Sequence, residues 1–335
     1  MNIEKKINSL FRLGKEIRKI VYNQDEIIHQ ACKQNPWFVP EFVLKALNGI
    51  SCLLDEEKLK EWISNYELYS NSKKNIGIIM AGNIPLVGFH DLVTVLLSSH
   101  RAIIKLSHND DVLIPYLVNI LRSIDPEIGD DITFVDSLDK VDAVIATGSD
   151  NTARHFKYKY KNIPYVIRKN RTSCCIIDGQ EQVQDLTYLG DDIFSYFGLG
   201  CRNISKIYIP DNYDIENLII NFNNYSWILK HTKYINNYRY LLSKYTLENR
   251  SFINADYFTL MESQDIVSPI ACVYYEKYKD LKNLQLILKL NKSKIQCIVS
   301  RDAWFAGSIP FGKAQLPEPW DYADNVDTMT FLASI

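Results

Sequence analysis

The chain has 335 residues, 47% of them hydrophobic, which is enough for two domains with substantial cores. Its 38 lysines and arginines against 40 aspartates and glutamates leave a net charge of −2, which excludes an electrostatic case for binding nucleic acid. Seven cysteines without disulfide-like spacing indicate a reduced, cytoplasmic protein. We expect neither a signal peptide nor a membrane span, because no apolar run approaches the ~20 residues that a span needs.

The first 70 residues are predicted to form helices. Apolar residues recur with a helical period from Ile7 to Ile20. The pattern breaks at residues 35–40, which contain two prolines, and resumes over residues 42–50 and 55–66. This part has no chemical motif, so we expect a helical layer that serves as a lid or an interface.

From residue 75 the pattern changes to short apolar runs that alternate with helical segments, which predicts parallel βαβ units and a doubly wound sheet. Ligands of such sheets bind at the carboxyl ends of the strands. There is no G-x-G-x-x-G motif and no P-loop. The predicted strands are 75–80, 101–106, 132–136 and 143–147, and the loops at their carboxyl ends are 82–85, 105–107 and 147–149. The predicted helices are 89–99, 111–124 and one from about residue 151. Asn109 or Asp110 is expected to cap the helix at 111–124.

A second group of short apolar strands follows residue 170, and Cys201 stands before one of them. The acidic residues in 191–194 predict the start of a helix, and Gly198 and Gly200 allow a sharp turn after it. A thiolate at such a turn can be stabilised by backbone N–H groups and is then reactive. The alternative is a small buried cysteine that packs beside the turn. The predicted strands of this half are 176–177, 204–209, 271–275 and 295–299.

Between residues 75 and 335, six short segments resemble the aldehyde dehydrogenase superfamily in their order, and they look most like the acyl-CoA reductases related to LuxC. They are A-G-N-I-P-L (81–86), similar to P-W-N-F-P-L; I-K-L-S (104–107), similar to V-K-P-S/A-E; T-G-S (147–149), similar to F-T-G-S; G-L-G-C (198–201), similar to G-Q-x-C; D-I-V-S-P (265–269), similar to E-I-F-G-P; and P-F-G-K (310–313), similar to P-F-G-G.

This resemblance implies roles for single residues. Cys201 matches the nucleophile, Asn83 the side chain that donates to the oxyanion, and Lys206 a basic residue five positions after the cysteine. Lys105 matches the lysine that binds the adenosine ribose, and Asp265 the acid that holds the nicotinamide ribose. Without the resemblance, Asn83 fits a turn or helix cap equally well, and Lys105 and Asp265 fit a solvated surface. The resemblance also places Ser107, His108, Thr147, Gly148 and Ser149 against the cofactor.

Two departures from the family pattern bear on the reaction. The segment at 166–172 should contain the glutamate that activates water against the acyl-enzyme, and no glutamate is there. A reductase of acyl thioesters does not need that base. The hairpin that joins family members into oligomers should precede residue 75, but only residues 66–74 are available, which leaves the oligomeric state open.

The resemblance therefore implies NADPH-dependent reduction of a fatty acyl-CoA to the aldehyde through a thioester on Cys201, with CoA as the leaving group. NADPH is expected over NADH because His108 stands where NAD-preferring members have a glutamate. The histidines lack ligand-like spacing, so no metal is expected. The rivals are an aldehyde dehydrogenase that makes the free acid and a non-catalytic cofactor-binding subunit. An acyl-transferring partner subunit is compatible with the family.

The expected fold is α/β and aldehyde dehydrogenase-like, with two α/β domains, an N-terminal helical layer and an active-site cleft between the domains. We expect residues 1–170 to form the helical layer and the doubly wound NAD(P)-binding domain. Residues 171–310 are expected to form the catalytic domain, and residues 311–335 to return across the cleft. The aromatic residues at 225–245 either line an acyl channel or pack in the core.

Overall fold

The computed structural model describes residues 2–68, 72–148 and 150–335, and its first part is helical as predicted. Asn2 caps the first helix by accepting a hydrogen bond from the N–H of Glu4, and the apolar face of that helix is buried. Pro40 is the first residue of the third helix, where its missing N–H costs nothing. The four helices are α1 (Ile3–Asn23), α2 (Glu26–Gln34), α3 (Pro40–Leu53) and α4 (Glu56–Ser64).

A five-stranded parallel sheet follows, in the order β3-β2-β1-β4-β5. The four predicted strands of this half are confirmed, and the sequence analysis missed β5. The strands are β1 (Asn75–Ile79), β2 (Arg101–Lys105), β3 (Ile132–Phe134), β4 (Ala143–Thr147) and β5 (Tyr165–Arg168); the helices between them are α5 (Phe89–Leu97), α6 (Leu113–Ile124), α7 (Pro126–Gly129) and α8 (Asp150–Lys159).

Both faces of this sheet are covered, as a parallel sheet requires. One face packs with α1, α5 and α6 in a large apolar core, and the other carries a smaller cluster around Val144 and Tyr160. The strand order reverses between β1 and β4, which is the position where open α/β sheets bind ligands. The loops after β1 and β4 therefore lie where sheets of this kind bind their ligands.

Residues 171–315 form a compact unit of their own around a seven-stranded sheet in the order β12-β11-β6-β7-β10-β9-β8. All its strand pairs are parallel except β8 with β9. The strands are β6 (Thr172–Ile176), β7 (Ile204–Pro210), β8 (Ile253–Asn254), β9 (Thr259–Glu262), β10 (Cys272–Tyr278), β11 (Ile295–Ser300) and β12 (Ile309–Pro310); the helices are α9 (Val183–Phe194), α10 (Glu216–Asn221), α11 (Thr232–Leu247) and α12 (Leu281–Asn291).

One prediction in this unit is wrong. Residues 191–194 are the end of α9 and not the start of a helix. Acidic side chains favour helix starts, but Asp192 is fully buried and accepts hydrogen bonds from the backbone N–H groups of Gly312 and Ala314. A tertiary contact thus explains an acidic residue in the last turn of the helix.

The C-terminal residues 316–335 belong to the same compact unit as residues 1–170, and they end in α13 (Thr328–Ala333). Tyr322 joins them to the helical layer, because its hydroxyl lies 2.7 Å from Nε1 of Trp62 and 2.8 Å from the hydroxyl of Tyr66. Among the described residues, no helix is long and apolar enough to cross a membrane, and no group of His, Cys, Asp and Glu is arranged to hold a metal ion.

Candidate active site

The loop after β1 carries Asn83, which is exposed. On one side of Asn83, the side-chain amide of Asn35 donates a 3.1 Å hydrogen bond to the carbonyl of Gly82. Gly82 lies so close to Ser107 that a Cβ there would be 2.7 Å from the Ser107 Oγ. The loops after β1 and β2 are thus packed together, and the break between α2 and α3 supplies the side chain that holds them.

On the other side of Asn83, the loop is held by Asp110. Leu86 has a positive φ of 63°, and its N–H donates to a carboxylate oxygen of Asp110 at 2.7 Å. Asp110 is buried, and desolvation raises the pKa of its carboxyl to about 7. The N-cap residue of α6 is Val112 and not Asn109 or Asp110 as predicted, although the Asp110 carboxyl also interacts with the backbone of Leu113, the first residue of the helix.

The predicted cofactor residues after β2 lie at the surface. Lys105 is half-buried, and its Nζ donates to the carbonyl of Asp136 at 2.5 Å. Ser107 is half-buried, and His108 is exposed. The His108 carbonyl accepts a 2.9 Å hydrogen bond from the side-chain amide of Gln34, so the helical layer also fixes this loop.

Thr147 is the last residue of β4, at the point where the strand order reverses, and Gly148 follows it. Thr147 is half-buried and pairs in register with Arg168 of β5, which is buried. A Cβ on Gly148 would lie 2.9 Å from the methyl carbon of Thr152, so this turn has room for little besides glycine. The third predicted residue of the turn, Ser149, lies outside the described residues.

The 166–172 segment, where the family pattern has a glutamate, contains a buried cation. Arg168 is only 3% exposed, and it forms a 2.6 Å ion pair with Asp91 and a 2.8 Å hydrogen bond to the hydroxyl of Thr328. Its partners are buried too, so this network is structural. No side chain of the 166–172 segment is a carboxylate that could activate water.

Cys201 is exposed on the turn that joins α9 to β7. A short 3₁₀ segment, Ser195–Gly198, follows α9, and three consecutive residues in it have positive φ: Tyr196 at 53°, Phe197 at 57° and Gly198 at 76°. Positive φ strains residues other than glycine, so this backbone is held by its surroundings. The thiol therefore stands on a sharply bent and well-anchored turn.

Asn203 is the anchor of this turn, and the sequence analysis missed it. Its side-chain oxygen accepts a 2.8 Å hydrogen bond from the N–H of Gly200, and its side-chain nitrogen donates to the carbonyls of Asp192 at 3.0 Å and Ser195 at 2.8 Å. Asn203 is 2% exposed, so these bonds are shielded from water. The Ser173 hydroxyl adds a 3.0 Å bond to the carbonyl of Cys201.

Two cysteines of the neighbouring strand β6 are unsuited to act as nucleophiles. Cys174 and Cys175 are fully buried in β6, and burial raises the pKa of each thiol far above its ordinary value. Cys52 is exposed, but it lies on α3 within the helical layer. None of the described cysteines forms a disulfide.

Asp265 is exposed on the loop between β9 and β10. This loop connects the carboxyl end of β9 to the amino end of β10, and β10 pairs in parallel with β7, the strand that follows Cys201. Lys206 of β7 reaches this loop, with its Nζ 3.3 Å from the Asp265 carbonyl and in contact with the Ser263 carbonyl. It also forms a 2.6 Å ion pair with Glu276.

The segment that resembles P-F-G-G is tied to the cysteine turn. Gly312 and Ala314 donate backbone hydrogen bonds of 2.7 and 3.0 Å to Asp192 of α9. The Nε of Arg202 donates to the carbonyl of Ala314 at 2.5 Å. Residues far apart in sequence are thus assembled around Cys201.

Among the aromatic residues at 225–245, Tyr234, Tyr238 and Tyr245 of α11 are buried, as the expectation of core packing requires. Tyr234 lines an apolar cavity together with Phe197 and Gly198, directly before Cys201 in the chain.

The predicted site residues are divided between the two compact units. Asn83, Lys105, Ser107, His108, Thr147 and Gly148 lie in the first unit, and Cys201, Lys206 and Asp265 lie in the second. A sequence model of the acyl-CoA reductase (LuxC) family matches residues 10–221. The chain belongs to the acyl-CoA reductase (LuxC) family. The predicted class, an oxidoreductase acting on aldehyde groups, is confirmed by this membership.

Solved structures show that this acyl-CoA reductase family member has the aldehyde dehydrogenase fold, as predicted. Aldehyde dehydrogenase C of Pseudomonas syringae, solved as a mutant with NAD⁺ and octanal, is 8% identical, and the match covers 90% of this chain and 73% of that one with a TM-score of 0.65. Aldehyde dehydrogenase 21 of Physcomitrella patens, solved with succinate, is 12% identical. The match covers 90% of this chain and 74% of that one, with a TM-score of 0.64.

A Mycobacterium tuberculosis aldehyde dehydrogenase solved with NAD⁺ is 12% identical, with 90% of this chain and 73% of that one covered and a TM-score of 0.61. No curated protein sequence matches the chain. The family assignment thus rests on the matched residues 10–221, which include Asn83, Lys105 and Cys201, and the fold assignment rests on the solved structures.

Proposed function

We propose that this acyl-CoA reductase family member reduces an acyl-CoA thioester to the aldehyde through a covalent thioester on Cys201, with NADPH as reductant. Acyl-CoA, one NADPH and one proton would give the aldehyde, CoA and NADP⁺. The observation that carries the proposal is the exposed Cys201 on a turn anchored by Asn203, beside two buried cysteines whose thiols stay protonated.

Each protein group has one task in the proposed reaction. The Cys201 sulfur attacks the thioester carbonyl, and CoA leaves as its thiol. Asn83 donates to the oxyanion, as its match in the family does, and the clamps on both sides of its loop keep the amide preorganised. The cavity lined by Phe197 and Tyr234 supplies an apolar surface beside the turn.

The lack of a carboxylate in the 166–172 segment favours reduction over hydrolysis. In the 166–172 segment the only buried charge is Arg168, which is committed to its ion pair with Asp91. A thioester on Cys201 that meets no activated water persists until it is reduced. Free acyl-CoA is the proposed donor, and an acyl-transferring partner subunit would act before this step.

The described residues fit a nicotinamide cofactor by the chemistry of their donors and acceptors. Lys105 and Ser107 offer hydrogen-bond donors at the carboxyl end of β2, and the exposed carboxylate of Asp265 can accept from ribose hydroxyls. When bound, the nicotinamide would supply the hydride that reduces the Cys201 thioester. Solved aldehyde dehydrogenases of this fold contain NAD⁺, which supports the class of cofactor.

The preference for NADPH is supported by the charges near His108. Two acids follow His108: Asp110 is buried with its carboxylate directed to the N–H of Leu86, whereas Asp111 is exposed and opposes the preference. Lys105, Ser107 and His108 offer donors to a phosphate carrying ~−1.5 to −2 charges.

Covalent labelling tests the proposed function. The parent and two variants, Cys201→Ala and the exposed-cysteine control Cys52→Ala, are incubated with radiolabelled acyl-CoA and then with NADPH. We expect label on the parent and the control, none on Cys201→Ala, and release of aldehyde on adding NADPH. Undiminished label on Cys201→Ala would refute the assignment of Cys201 as the nucleophile. Oxidation of an aldehyde to the free acid without CoA would establish the rival dehydrogenase.

A further inference from the structure

Lys206 is a fully buried cation in the central strand of the seven-stranded sheet, five residues after Cys201. A buried ammonium group is unstable unless its donors are satisfied. Its Nζ meets three acceptors: the Glu276 carboxylate at 2.6 Å, the Asp265 carbonyl at 3.3 Å and the Ser263 carbonyl. Three acceptors match the three donors of an ammonium group.

Two of these acceptors belong to the backbone of the loop that carries Asp265. The same loop receives a 2.8 Å hydrogen bond from the hydroxyl of Ser205 to the carbonyl of Ile266. Strand β7 therefore holds the loop with two consecutive side chains, Ser205 and Lys206. Ile266 is buried, which anchors the loop against the sheet, while the Asp265 side chain stays exposed.

The bonds from Lys206 differ from ordinary loop contacts because the donor is charged and shielded from water. Hydrogen bonds with a charged partner are about twice as strong as neutral ones. Glu276, on β10, balances the charge, so that the ammonium group is stable enough to hold both carbonyls. The strand that begins after Cys201 and the loop that displays Asp265 are thereby joined through one side chain.

We propose that Lys206 is a positioning residue that fixes the Asp265 loop relative to Cys201, so that the cofactor ribose is held where the thioester on Cys201 can be reduced. The inference rests on the proposed function, in which Asp265 holds the nicotinamide ribose. It predicts that loss of Lys206 impairs cofactor binding and reduction while the acylation of Cys201 continues.

The experiment compares the parent with Lys206→Met, and with Lys206→Met combined with Glu276→Leu. The second variant avoids leaving the half-buried Glu276 carboxylate without its cation, which protects the fold. Three quantities are measured in each: the Kd of NADPH by fluorescence titration, the rate of Cys201 acylation by acyl-CoA, and the amide hydrogen exchange of residues 263–268.

In both variants we expect the Kd of NADPH to rise by about 10-fold or more. The rate of Cys201 acylation should stay within about threefold of the parent rate. The amides of residues 263–268 should exchange faster than in the parent. In an Asp265→Ala background, Lys206→Met should add little further loss. Unchanged cofactor affinity, unchanged exchange, or equal losses of acylation and cofactor binding would overturn the inference. A parent that neither becomes acylated nor binds NADPH would refute the proposed function instead.

Discussion

The carboxylate of Asp110 and the backbone N–H of Leu86 are joined by a 2.7 Å hydrogen bond, and this buried carboxyl holds a residue of positive φ beside Asn83. Desolvation raises the pKa of Asp110 from 3.8 to about 7. Between these values the folded protein keeps a proton that the unfolded chain has released. The free energy of unfolding should therefore fall as the pH rises from about 4 to about 7.

Asp110→Asn removes this titration and keeps an oxygen that accepts from Leu86. We expect parent and variant to be similarly stable at pH 4, and the variant to be more stable at pH 8 by on the order of 1–4 kcal/mol. Urea unfolding across this range measures the difference. A constant difference at every pH would show that Asp110 titrates normally in the folded protein.

Asn203→Ala should loosen the cysteine turn. The substitution leaves the Gly200 N–H and the carbonyls of Asp192 and Ser195 without their buried partner. We expect a loss of about 2–4 kcal/mol in the free energy of unfolding and slower acylation of Cys201. The matched control is Asn221→Ala, whose single helix hydrogen bond is exposed; its stability should change by no more than about 0.5 kcal/mol.

Asn83→Ala should lower kcat by ~10²-fold or more with little change in the Kd of NADPH, because an oxyanion donor acts mainly in the transition state. Steady-state kinetics and a cofactor titration test this directly. The structure adds a second expectation: Asn35→Ala, which removes the clamp on Gly82, should lower kcat in the same direction by a smaller factor. A change confined to KM would mark Asn83 as a binding or structural residue.

His108→Glu should move the cofactor preference toward NADH. A carboxylate at this exposed position would repel a 2′-phosphate and accept hydrogen bonds from ribose hydroxyls. We expect the parent to have the higher kcat/KM with NADPH, and the variant to lower the NADPH-to-NADH ratio of kcat/KM by about 10-fold. His155→Glu, at another exposed histidine on α8, is the control for added charge. A parent that prefers NADH, or an unmoved ratio, would contradict the prediction.

Local patterns were enough to predict four of the five strands of the first sheet and the family. Alternating strands and helices from residue 75 predicted the parallel sheet, since hydrophobic periodicity follows from local geometry. The short segments around Asn83, Lys105 and Cys201 predicted the family, because each motif is contiguous in sequence.

The anchors of the candidate site were decided only by the tertiary structure. Asn35 bonds to Gly82, Lys206 to the Asp265 loop, and Asp192 to Gly312, in each case across a long stretch of chain. Tertiary contacts also explain two departures at helix ends: Asp110 bonds to Leu86 while Val112 is the N-cap residue of α6, and the acids at 191–194 close a helix instead of opening one. Local preferences such as capping are worth about 1 kcal/mol, whereas a buried carboxylate must find donors wherever the fold supplies them.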